Sequence, residues 1–172
     1  MVKQAGAIKI YFASIPAHKF LHIKDYESKG YWDFWERQDK IPGMDCDTIC
    51  GLLDSVQGKL DGEQIMAHIS EDGGKRAECY GVKLPTGFSG EIPPQMLLID
   101  IPEGEYIVFE HGPFDYEQEN DSVGWQLQEA IKSFDYSGTG YEQDESTGRP
   151  AYFHHDPDKF CKRVIPVKRK QK

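Results

Sequence analysis

Nine residues of this chain are echoed 86 positions later, and that echo constrains its fold more than any other feature of the sequence. The segment IPAHKFLHI at 15–23 aligns with IPEGEYIVF at 101–109. The Ile-Pro pair is identical, Phe20 meets Tyr106, Leu21 meets Ile107 and Ile23 meets Phe109. A second echo sets YGVKLP at 80–85 against IPVKRK at 165–170, with Val-Lys in register. Both halves also read in one order, strand, helix, strand, strand. Weak matches in the same order and at similar spacing point to a duplicated unit. Neither half easily buries a sheet of so few strands alone. The expectation is therefore a single α+β domain over 1–172. It would be a tandem duplication of a strand–helix–strand–strand unit, with pseudo-repeats near 1–86 and 95–172. The pair would form an antiparallel sheet with helices and a pseudo-two-fold relation.

Length and charge narrow the class. A monomer of 172 residues buries roughly 70% of its unfolded surface, enough for one core. The net charge of -9 disfavours direct nucleic-acid binding, which needs a basic surface. The basic run VKRKQK at the C-terminus reads as a solvated tail, with a binding arm as the alternative. No stretch approaches the length of a membrane span, and the N-terminus lacks a signal-peptide core. The cysteines Cys46, Cys50, Cys79 and Cys161 show no secreted spacing, so free thiols and a cytoplasmic location are expected.

Along the chain, Ile8, Ile10 and Phe12 alternate with Lys9 and Tyr11, a strand period. In KFLHIKDY, Leu21 and Ile23 share one face, and Phe20 and His22 the other. Pro16 either bends one long strand or separates two. GYWDFWERQDKIPG reads as a short helix closed by Pro42-Gly43. Ile49, Leu52, Leu53, Val56 and Leu60 form a second helical stripe, capped by Asp45 or Asp47. EQIMAHIS and RAECYGVKLP are strands joined by a hairpin turn at EDGGK, and 85–95 is a Pro/Gly connector. In the second half a helix carries the stripe Val123, Leu127, Ala130, Ile131 and Phe134, capped by Asn120, Asp121 or Ser122. CKRVIPVKR closes the chain as a strand.

The segments GEYIVFEHGPFDY, GYEQ…GRPAYFHHDP and VIPVK, with YWDFWERQDKIPG and CGLLDS in the first half, give the sequence a family likeness. It resembles the GyrI-like small-molecule-binding domain, also found as the effector-binding domain of AraC-type and MerR-type regulators. The resemblance implies a duplicated fold with a ligand groove between the halves, in a stand-alone binder without a helix-turn-helix module. Many members place a Glu in P-x-x-E-x-Y, where it meets cationic ligands. Here that slot falls on Ala151, Tyr152 or His154, so another acid would have to substitute.

The aromatic cluster offers a site. Tyr31, Trp32, Phe34 and Trp35 cover more than one face of a short helix, so they are either all core or in part a slot for a planar ligand. Glu36 follows one turn after Trp32, as a cation partner or a plain surface acid. Trp125 falls about 200° off its helix stripe, and is either exposed or turned toward a cleft. Tyr106, Val108 and Glu110 share one strand face, as do Glu78, Tyr80 and Val82. Glu78 and Glu110 are thus candidates for cation recognition or acid/base work, or are simply solvated. His154 and His155 point to opposite faces of a strand and cannot easily share a metal. No metal or cofactor is expected.

Three functions compete. The first is a binding module whose groove, lined by Trp32, Trp35, Glu36, Glu78, Tyr80, Tyr106, Glu110, Trp125 and Tyr152, takes a flat, apolar molecule, neutral or cationic. The resemblance implies two alternatives. One is a hydrolase of reactive cyclopropane-type alkylating compounds, in which a carboxylate positions water. The other is an interaction module that engages a protein partner, a regulator or gyrase.

Overall fold

The computed structural model describes residues 8–60, 64–70, 76–144 and 149–170. Within them the chain is α+β, with antiparallel strands and three helices. It divides into two compact units. The predicted turn at EDGGK lies outside the described residues.

The first unit contains β1 (Ile8–Ile15), β6 (Gly104–His111), α3 (Tyr116–Ser133), β7 (Tyr141–Gln143), β8 (Ala151–Asp156) and β9 (Phe160–Arg169). β6 lies between β1 and β9, and β8 and β7 share the other edge of β9. One face of this sheet presents Ile8, Ile107, Phe109 and Cys161 to Val123, Leu127 and Ala130 of α3. The helical stripe read from the sequence is therefore the core-facing one, and Ile131 and Phe134 pack at its edge. The cap differs from the expected one: Asp115 accepts from the N–H groups of Glu117 and Gln118, and Glu119 Oε1 accepts from Asp115 N–H. This reciprocal cap starts the helix five residues earlier than Asn120. Its first turn carries few apolar residues, so hydrophobic periodicity alone misses it.

The second unit contains β2 (His18–Asp25), α1 (Tyr31–Asp39), α2 (Cys46–Ser55), β3 (Ile65–Ser70), β4 (Arg76–Leu84) and β5 (Leu97–Ile101). Its strand order is β3-β4-β2-β5, all antiparallel. Pro16 and Ala17 separate β1 from β2, resolving the alternatives at IPA. α2 is capped by Asp45, which accepts from Thr48 N–H at 3.2 Å. It ends at Ser55, before Leu60, whose N–H donates to the carbonyl of Lys83 at 2.8 Å. Gly58 holds a left-handed φ of 82° just past the helix, which turns the chain off the predicted stripe.

Two pairs of strands, one from each unit, stand at one spacing in the sequence. β2 and β6 begin 86 positions apart and have equal length, and so do β3 and β8. The edge strands follow suit. Ile15 pairs with Gly104 in one unit, and His18 with Ile101 in the other. β1 thus pairs with β6, distant in the chain, and β5 with β2.

Candidate functional site

The period of two along β4 puts Glu78, Tyr80 and Val82 on one face. Pairing sets Asp25, Ile23 and Leu21 of β2 on one side of them, and His68 and Met66 of β3 on the other. α1 lies against this face. The Trp35 ring packs edge-on to Tyr80 with centroids 5.0 Å apart, and Phe34 packs behind it at 5.2 Å. Both residues are buried.

Charged groups fix α1 in place. Arg37 donates to Asp25 Oδ2 and to Glu27 Oε2, each at 3.0 Å, and Gln38 Nε2 donates to Asp25 Oδ2 at 3.2 Å. Burial alone would raise the Asp25 carboxyl. The Glu27 N–H and the Arg37 guanidinium outweigh it and hold the group below the usual carboxylate range. At the other end of the helix, Gly30 is the N-cap, with a φ of 113° and no side chain to satisfy the first turn. Glu78 engages this end instead: its Oε1 accepts from the N–H of the N-cap residue, Gly30, at 3.1 Å. A carboxylate there also meets the positive end of the helix.

The second oxygen of Glu78 is the unusual feature. Oε2 is buried and has no hydrogen-bond partner among the described residues, and the same holds for Trp35 Nε1. The Arg76 guanidinium lies against the His68 ring, and His68 Nε2 stands 4.0 Å from Glu78 Oε1. A buried polar oxygen without a donor costs about 1–3 kcal/mol, and more when it carries charge as a carboxylate does, unless something supplies one.

Beyond Tyr80 the site continues into α2. Tyr80 Oη donates to Gln64 Oε1 at 2.7 Å, and Gln64 Nε2 donates to the Cys50 carbonyl and to Asp54 Oδ1. Cys50 Sγ lies 3.9 Å from Tyr80 Oη and 3.7 Å from Cys46 Sγ. Burial and the neighbouring Cys50 push the Tyr80 phenol far above its ordinary range, so it stays a neutral donor. The exposed pair Tyr31 and Trp32 forms the outer lip of α1, its rings 5.2 Å apart and edge-on.

The residues expected to form the site are thus dispersed. Trp35, Glu78 and Tyr80 come together in the second unit. Trp32 is 74% exposed, and Glu36 points to solvent from the same helix. The others belong to the first unit. Tyr106 and Tyr152 are fully buried on its sheet, and Trp125 is 63% exposed on α3. Glu110 accepts from Tyr11 Oη at 2.8 Å, and burial together with this carboxylate pushes the Tyr11 phenol up to about 12. His155 Nε2 hydrogen-bonds Asn120 Oδ1 on the α3 side, while His154 is buried on the opposite face. Sequence reading did not place Gln64, His68 or the Cys46–Cys50 pair in a site. The helical i, i+4 spacing of the two cysteines was the signal for their closeness.

A separate cavity of about 760 Å³ sits at the C-terminal end of α2. Leu52, Val56, Pro85, Phe88, Ile92 and Pro93 line it, and the exposed Glu91 is its sole charged lining residue. It offers apolar room but no buried charge.

Solved structures match this architecture along most of the chain. SAV2435, solved bound to tetraphenylphosphonium, is 15% identical; the match covers 93% of this chain and 94% of that one, with a TM-score of 0.60. The EcmrR C-terminal domain is 10% identical over 95% of this chain and 99% of its own, with a TM-score of 0.55. An integron cassette protein from Vibrio cholerae is 8% identical over 92% and 95%, with a TM-score of 0.52. This chain shares their fold. No family model matches the sequence, and no curated protein matches it. No helix among the described residues is long and apolar enough to cross a membrane.

Proposed function

We propose that this protein binds small, flat, largely apolar molecules that carry a positive charge, at the face formed by Glu78, Tyr80 and Trp35. One observation carries the reading. Glu78 Oε2 is a buried carboxylate oxygen without a donor, on a strand face walled by aromatic rings. An organic cation compensates such an oxygen without needing a hydrogen bond of its own, and rings beside it add cation–π attraction. Glu78 would supply the charge that Ala151, Tyr152 and His154 lack. The solved neighbour that holds tetraphenylphosphonium is consistent with this ligand class. The matched spacing of β2 with β6 and of β3 with β8 supports a tandem origin for the two halves.

Tetraphenylphosphonium is the probe. It is expected to quench tryptophan emission saturably, because Trp35 packs on Tyr80 in the site. Glu78→Gln keeps the shape and removes the charge, and should weaken binding roughly tenfold to a hundredfold. Triphenylphosphine oxide, a neutral analogue, should bind weakly to both proteins. Equal affinity of wild type and Glu78→Gln for the cation would defeat the reading.

A second reading rests on the same oxygen. A carboxylate with one anchored and one free oxygen can position a water against an electrophilic compound held by the rings. Hydrolysis of a cyclopropane-type alkylating agent that disappears in Glu78→Gln would establish it.

A further inference from the structure

The Cys46–Cys50 pair has geometry that neither packing nor the cation site uses. The cysteines occupy positions i and i+4 at the start of α2, both partly exposed, with sulfurs 3.7 Å apart. A direct disulfide requires Cβ atoms about 3.5–4.5 Å apart. Residues four apart on a helix hold theirs at about 5–6 Å, so an intrahelical disulfide would distort α2. A single atom bridging the two sulfurs meets no such obstacle. A centre with bonds of about 2.3 Å to each thiolate spans nearly the observed separation.

The surroundings select the kind of centre. Among the described residues no third His, Cys, Asp or Glu stands where it would complete a metal site. Structural zinc, which takes four ligands, is therefore a poor match. The geometry suits an element that takes two protein sulfurs and keeps one substituent of its own. We infer that Cys46 and Cys50 form a chelating dithiol for trivalent organoarsenicals, whose remaining organic group lies beside the Tyr80 ring. The contact between Cys50 Sγ and Tyr80 Oη at 3.9 Å sets that neighbourhood, and the edge-on Trp35 extends it.

The reaction balances without an oxidant. An organoarsenic(III) oxide exchanges its oxygen for the two sulfurs. Two S–H bonds break, two As–S bonds form, and the oxygen leaves as water with both thiol protons. Arsenic stays trivalent. Burial and the adjacent Cys50 push the Cys46 thiol up to about 12, so ordinary alkylators that need a thiolate should react slowly there. The arsenical removes the protons as part of the exchange. Tyr80 and Trp35 border both sites, but thiol capture uses neither Glu78 nor its free oxygen, so Glu78→Gln should leave it intact while abolishing the charge the cation reading needs.

The test uses the full chain and phenylarsine oxide in the presence of a monothiol. Intact-mass measurement should show one adduct, and thiol counting after denaturation should show two of the four cysteines lost. An added small dithiol should strip the adduct, whereas excess monothiol should not. Cys46→Ser and Cys50→Ser should each raise the half-saturating concentration roughly a hundredfold, the loss of an intramolecular second bond. Both substitutions are at partly exposed positions, and thermal unfolding of each variant without arsenical establishes that it folds. Wild type should gain thermal stability with the arsenical, and the variants should not. An adduct formed equally well by either single variant, or one removed by monothiol, overturns the inference.

Discussion

Gly81 shows how a single atom determines whether this sheet forms. A Cβ there would lie 1.9 Å from the Leu21 carbonyl oxygen and 2.8 Å from His22 Cα. Both obstacles are backbone of the paired strand β2, so neither swings aside as a side chain would. Gly81→Ala is expected to lower unfolding free energy by about 3 kcal/mol, the upper range for overpacking; urea denaturation followed by circular dichroism measures it. In the sequence this residue is one glycine in a strand-like run, and only the pairing of β4 with β2 explains it. Glu78 is similar. The alternation of β4 put it beside Tyr80 in advance. That one of its oxygens binds the Gly30 N–H at the start of α1 while the other goes unpartnered depends on where the helix comes to rest.

At the scale of elements, local chemistry set most of the helices and tertiary contacts set their ends. The stripes of α2 and α3 were legible because buried faces recur every three or four residues. The early start of α3 at Asp115 and the stop of α2 at Ser55 were not, since a cap and a left-handed glycine leave no hydrophobic period. α1 is held by polar contacts to β2 in addition to the buried Phe34 and Trp35, and the polar part makes it sensitive to acid. The folded Asp25 carboxyl titrates below its unfolded value. Its contribution is therefore complete above the unfolded value of 3.8 and is lost as pH falls through the lower folded one. Acid titration should red-shift Trp35 emission as α1 loosens, ahead of global unfolding. In Asp25→Asn that separate step should be absent, and the helix should already be looser at neutral pH. An unchanged acid profile in the variant would show that the Arg37 contact does not hold α1.

For the whole molecule, the order of strands along the chain differs from their order in the sheets. β1 precedes β2 yet pairs with β6, whereas β2 takes β5 as its edge. Removing residues 1–15 should therefore expose β6, far away in sequence, more than β4. Hydrogen exchange of 104–111 against 76–84 measures the difference. Greater deprotection of β4 would contradict the pairing. By itself the sequence determined the α+β class, most strands, the core stripes of two helices and the alternation that places Glu78 with Tyr80. Those follow from local periodicity and repeated patterns, which each segment carries with it. Only the tertiary structure decided which edge strand joins which unit, where the aromatic residues divide between core and surface, and which carboxylate oxygen is left without a donor. These depend on contacts between residues far apart in the chain, where many pairings satisfy the same local pattern and only packing and hydrogen-bond satisfaction select one.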